Sequence, residues 1–209
     1  MTPAAAFPAD PTPPRFATPV TLTGRLVELV PLHRDHHDGL VAATRDGDVS
    51  RLWFTSAPSP EGMAAEIDRR TEERDAGRMN PFTVVSRATG EIAGMTTFCH
   101  LDDPNRRAEV GYTWLRAGVR RTGVNTEAKR LLLGHAFDTL DAIAVELRTH
   151  WHNRASRAAI ERLGARQDGV LRSHQIMPDG SLRDTVVYSI VAAEWPAVRN
   201  GLEAALARG

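Results

Sequence analysis

The stretch that decides the fold is residues 109–135, EVGYTWLRAGVRRTGVNTEAKRLLLGH. It opens with Val110, Tyr112 and Trp114 alternating with Glu109, Gly111 and Thr113, the period of two of a strand whose faces meet different surroundings. The chain then turns through Arg116-Ala117-Gly118 and passes the basic, glycine-bearing segment Arg120-Arg121-Thr122-Gly123-Val124-Asn125. From Thr126 it enters a helix with Ala128, Leu131, Leu132 and Ala136 at helical spacing. Strand, basic turn and helix N-terminus together form a phosphate cradle. The first-turn N–H groups have no intrahelical acceptor, the macrodipole favours an anion, and a glycine lets the backbone approach closely. The competing reading is an ordinary turn carrying a solvated arginine pair. Neither G-x-x-x-x-G-K-[ST] nor G-x-G-x-x-G occurs, so two other phosphate motifs are excluded.

Upstream, residues 20–30 alternate apolar and polar side chains around a turn or bulge at Gly24, residues 31–43 read as a short helix, and 55–77 contain a longer one. Between the helices lie Trp53 and Phe54, core aromatics or acceptor contacts. Residues 81–86 and 91–100 form a hairpin around Ala88-Thr89-Gly90, and a charged loop at 102–107 leads to the Glu109 strand. Downstream, 144–149 is a strand, and strand–helix–strand implies a parallel neighbour for the Glu109 strand. A helix from Asn153 ends at Gly164; strands at 167–174 and 184–191 flank the Met177-Pro178-Asp179-Gly180 turn. An amphipathic helix over 193–207, with Trp195, Val198, Leu202 and Leu206 on one face, packs on the domain or on a second subunit of a homodimer.

The 209 residues suit one domain. A formal net charge of zero argues against broad capture of nucleic acid or anionic membrane. Lys129 is the only lysine among 26 basic residues. Cys99 stands alone, so no internal disulfide forms and it reads as a buried core thiol. No run approaches the roughly 20 apolar residues of a membrane span, and no signal peptide is visible, so a cytoplasmic location is expected.

R-x-x-G-x-N over Arg120 to Asn125 resembles the [QR]-x-x-G-x-[GA] acyl-CoA pyrophosphate loop of the GNAT superfamily of N-acetyltransferases, with Asn125 where the family has Gly or Ala. Asn153-Arg154-Ala155-Ser156 resembles the N-x-x-[AS] element after the family's fifth strand. GY-x-WL, G-x-x-TEA and N-x-x-S followed by LGA are most similar to the ribosomal-protein (Rim-type) branch, over about residues 20–192. The resemblance implies an α/β (α+β mixed) single domain at 19–192, with a mostly antiparallel sheet of about seven strands and a parallel pair splayed at the CoA site. Residues 1–18 are then a flexible Pro-rich arm and 193–209 a C-terminal helix. It also implies acetyl-CoA as cosubstrate, no metal, and a primary amine as acceptor, either a protein N-terminus or a small molecule.

Direct transfer from a thioester needs a deprotonated amine, a polarised carbonyl and a stabilised thiolate. On the family pattern Glu109 is the base, acting through water; the alternative is a surface carboxylate paired with Arg107 or Arg148. His150 and His152 are second candidates, weak as metal ligands. The leaving-group tyrosine of many members falls at Ile160, so Ser156 is expected to hydrogen-bond the thiolate. Asn153 would hold pantetheine while capping its helix. The cradle would comprise the N–H groups of Arg121, Thr122, Gly123, Val124, Asn125 and Thr126, with Arg120 or Arg121 on phosphate oxygens. A bulge near Trp114 and Leu115 would expose main-chain groups to pantetheine. The absent tyrosine and the Asn125 departure also suit a non-catalytic CoA-binding module of the same fold.

Overall fold

The computed structural model describes residues 15–47 and 57–208, so the expectations for residues 1–14 and for Trp53 and Phe54 lie outside it. One eight-stranded sheet carries the fold, in the order β1-β2-β3-β4-β5-β6-β8-β7. Its strands are β1 (Leu22–Thr23), β2 (Val27–Pro31), β3 (Asn80–Ser86), β4 (Ile92–Asp102), β5 (Arg107–Leu115), β6 (Ala144–His150), β7 (Arg166–Ile176) and β8 (Leu182–Val191). Every neighbouring pair is antiparallel except β5 and β6. The strand beyond the expected seven arises at Gly24, where Gly24 N donates to Val27 O at 2.8 Å and the turn splits residues 20–30 into β1 and β2.

Five α-helices cover the sheet among the described residues: α1 (His37–Arg45), α2 (Met63–Asp75), α3 (Val124–Gly134), α4 (Arg154–Arg162) and α5 (Trp195–Arg208). Alternation along β4 sorts the core into two layers. Phe98 joins Val110, Ala128 and Leu132 in the cluster beneath α3, whereas Met95 joins Leu40, Met63, Ile67 and Trp114 beneath α1 and α2. Leu132 is fully buried, and its truncation to Ala would cost about 2–5 kcal/mol. The apolar face of α5 is spent within its own chain: Trp195, Val198 and Leu202 are buried, and Trp195 stacks on Phe137 at 5.4 Å. Residues 15–18, the end of the expected arm, are anchored. Phe16 packs edge-on against Phe98, and Asn80 Nδ2 donates to the carbonyls of Phe16 and Thr18.

The alternation expected along β5 fails at one place. Gly111 opposes Thr97 and Trp114 opposes Met95, so Tyr112 and Thr113 together face Thr96. This is a bulge, and Tyr112 takes the left-handed φ of +48° that it requires. The bulge lies at Tyr112 and Thr113 rather than near Trp114 and Leu115, and it turns Trp114 away from Val110 into the opposite layer.

Candidate acetyl-transfer site

Parallel pairing between β5 and β6 covers only Arg107 with Ala144, Ala108 with Val145 and Glu109 with Glu146. Beyond Glu109 both strands continue without each other, and the gap opens into a cavity of about 1030 Å³. Trp114, Leu115, Arg120, Arg121, Gly123, Asn125, Thr126, Asn153 and Ser156 all line it. Thr122 and Val124 do not. Thr122 Oγ1 donates to Val119 O at 2.7 Å, and Val124 turns into the core.

The end expected to take phosphate is built from one contiguous piece of chain. A short 3-10 turn at Ala117–Val119 is followed by left-handed backbone at Arg121 (φ +63°) and Gly123 (φ +81°). Gly123 is the N-cap of α3, so the helix starts at Val124, two residues earlier than periodicity places it. A Cβ at Gly123 would lie 2.9 Å from Leu26 Cδ1 on a backbone that disfavours any side chain. The loop's cationic character survives because Asp46, the acid that reaches it, is taken by Arg116 Nε at 2.9 Å and Gly118 N at 3.0 Å. Those bonds hold the Asp46 carboxyl below its usual pKa. Glu127 fixes the start of α3: its carboxylate accepts from the N–H groups of Arg25 (3.0 Å), Leu26 (2.5 Å) and Val27 (2.8 Å). The Glu of TEA is thus a clamp between the cradle and the β1–β2 turn.

Glu109 sits at the last paired position, where the strands part. It is 6% exposed, with Oε2 2.8 Å from His100 Nδ1 and 3.3 Å from Arg148 Nε. It is therefore a buried carboxylate, and of the two partners expected for it only Arg148 is in contact. Its hydrogen bond raises the pKa of His100. Glu109 does not line the cavity, but Gly111 does, and a Cβ there would lie 2.6 Å from Glu109 Oε1. The glycine leaves room for that carboxylate beside a residue of the cavity wall.

On the other wall Asn153 caps α4, its Oδ1 accepting from Ser156 N at 3.0 Å. The half-buried Ser156 lines the cavity. Ile160, where a tyrosine acid would stand, is 7% exposed and belongs to the core. His150 also lines the cavity; burial lowers its pKa, and its Nδ1 accepts from His152 N at 3.0 Å.

Tyr112, Lys129, Arg148 and Arg183, none of them expected as binding residues, also line the cavity. Lys129 is buried, its Nζ donating to Thr113 Oγ1 at 2.6 Å, and burial brings its pKa down to about 7. The available signal was spacing: Lys129 lies one turn beyond Asn125, so a helix that points Asn125 at the cavity points Lys129 there too. Cys99, His100 and Glu109 bring potential metal-ligating atoms within 4.8 Å of one another. Arg148 already sits against that carboxylate, and burial raises the Cys99 thiol well above its usual pKa, so the group is poorly disposed to hold a cation.

Residues 26–166 match the family described as an acetyltransferase (GNAT) domain. The Bacillus subtilis (strain 168) protein YdaF, named provisionally as a ribosomal N-acetyltransferase, is 31% identical over 144 residues, which cover 69% of this chain and 78% of that protein. A GCN5-related N-acetyltransferase from Brucella melitensis superposes with a TM-score of 0.82 at 30% identity, over 90% of this chain and 86% of that one. RimJ of Mycobacterium smegmatis, solved with CoA-disulfide, shares the fold with a TM-score of 0.76 at 24% identity, over 90% of this chain and 96% of that one. No helix among the described residues is long and apolar enough to cross a membrane. With two thirds of its length matching that domain, and with an open β5–β6 fork at the heart of its sheet, the chain belongs to the GNAT family and is an acetyl-CoA-dependent N-acetyltransferase.

Proposed function

We propose that this enzyme acetylates a primary amine by direct attack on the thioester, with Glu109 as base and Ser156 as partner of the leaving thiolate. Acetyl-CoA supplies the activated acetyl group. Main-chain N–H groups of Arg121, Gly123, Asn125 and Thr126 receive its pyrophosphate, with Arg120 and Arg121 adding charge. Main-chain groups freed by the parting of β5 and β6 align pantetheine, assisted by Asn153. The observation that carries this reading is the end of pairing at Glu109 and Glu146, with the Glu109 carboxylate directly behind Gly111. A water at Gly111 would pass the amine's proton to that carboxylate, and no covalent enzyme intermediate is needed once donor and amine are held together. The acceptor class we favour is a protein N-terminal amine, by likeness to the provisionally named ribosomal N-acetyltransferase.

Thiol release in the presence of amine panels tests this. Glu109→Gln should lower kcat by about 10²–10⁴-fold while acetyl-CoA binding stays intact. Equal turnover would remove Glu109 from the mechanism and turn attention to His150, which faces the cavity directly.

A further inference from the structure

The acceptor end of the cavity carries more positive charge than its carboxylates neutralise. On the α2 side Glu66 holds both Arg69 (2.8 Å) and Arg70 (2.7 Å). Their guanidinium groups lie 5.8 and 5.2 Å from the centre of the Tyr112 ring, which lines the cavity. Where the strands part, Glu109 and Glu146 are matched by Arg148 and Arg107.

Arg183 is left over. It reaches the same cavity from β8, is half-buried, and makes no ion pair among the described residues. Its guanidinium has one hydrogen bond there, Nε donating to Thr185 Oγ1 at 3.1 Å, which leaves both Nη groups for a planar two-point clamp. Burial lowers its pKa, and the charge of Glu109, which acts on it only from beyond ion-pair distance, does not offset that. Holding such a group half-desolvated is costly unless something anionic meets it. An enzyme for plain alkylamines would gain from the opposite arrangement, an acidic mouth that draws ammonium ions in.

Resting on the transferase reading above, we propose that Arg183 binds a carboxylate carried by the acceptor, so that the substrate class is amines with a carboxylate close to the reacting nitrogen. Free amino acids and the N-termini of acidic peptides both present that chemistry. The Arg183 clamp and the surplus positive charge around Tyr112 select for it before Glu109 acts on the amine.

The test uses acceptors matched in size that differ in charge, with rates expressed per unprotonated amine. One arm pairs free alanine with alaninamide; the other pairs the amidated peptides Ser-Asp-Ala and Ser-Asn-Ala. In one arm the full-length enzyme should favour the charged member by roughly 10- to 100-fold in kcat/KM, the size of a charge-assisted hydrogen bond, and the arm identifies the source. Arg183→Gln should bring the charged member down to the level of the neutral one, and Arg183→Glu should reverse the order. The rate on the neutral acceptor reports that each variant is folded. Calorimetric affinity for acetyl-CoA should not change; a loss there would reassign Arg183 to the cofactor's phosphates and overturn the inference. Equal rates within both pairs, or a preference that survives Arg183→Gln, would also overturn it while leaving the transferase reading in place. Failure of every acceptor to release thiol, with acetyl-CoA still bound, would count against that reading, and the inference would fall with it.

Discussion

The two ends of the cavity are built on different plans. At the end proposed for phosphate the chain offers main-chain N–H groups from a single turn, shaped by left-handed backbone at Arg121 and Gly123. At the end proposed for the acceptor, side chains come together from separate strands: Tyr112 from β5, with Glu109 beside Gly111, Arg148 and His150 from β6, and Arg183 from β8. The contrast teaches where each end is vulnerable. A main-chain site tolerates changes of side chain and fails when the backbone path changes. A side-chain site fails one residue at a time.

The sharpest break is expected at Gly111. Alanine there would push the Glu109 carboxylate from a position 2.6 Å from the new Cβ, so turnover should fall by about 100-fold while acetyl-CoA affinity is retained. Gly123→Val is the counterpart at the other end. It combines a strained φ with a contact to Leu26, and should weaken acetyl-CoA binding by roughly 10- to 100-fold, read by calorimetry. Arg121→Ala should cost less, about 3- to 10-fold in the same titration, because the main chain carries most of the load. A larger loss for Arg121 than for Gly123 would contradict the division.

The smallest effect concerns Lys129, between the two ends. Its folded-state pKa of about 7 lies below the usual 10.5. Across that interval the unfolded chain holds a proton that the folded chain has shed, so this residue makes stability rise with pH from about 7 to 10.5 and leaves it lowest below. Lys129→Met should flatten that rise in denaturant titrations at several pH values. An unchanged slope would mean that the amine is charged in its buried setting.

The same difference of plan explains how much was legible in the residues alone. Four residues of Arg120 to Asn125 line the cavity as that stretch suggested, because a turn and the helix start that follows it are neighbours in sequence. The β3–β4 hairpin followed from its short link, and the parallel pairing of β5 with β6 from the helical crossover between them. Three things were hidden. The bulge at Tyr112 and Thr113 depends on pairing with Thr96, which no period-two pattern records. Glu127 looked like part of a motif, and its role as a clamp appears only when Arg25, Leu26 and Val27 are placed beside it. Arg183 is one of many arginines in the sequence; its lack of an ion pair among the described residues is a property of the fold.

Whether the cavity between β5 and β6 takes acetyl-CoA is decided by calorimetric titration of the protein with acetyl-CoA, beside free CoA and ATP. Saturable binding selective for the two CoA compounds is expected, weakened by Gly123→Val and untouched by Glu109→Gln. Absence of binding, or equal affinity for ATP, would mean that the cavity between β5 and β6 is not an acetyl-CoA site.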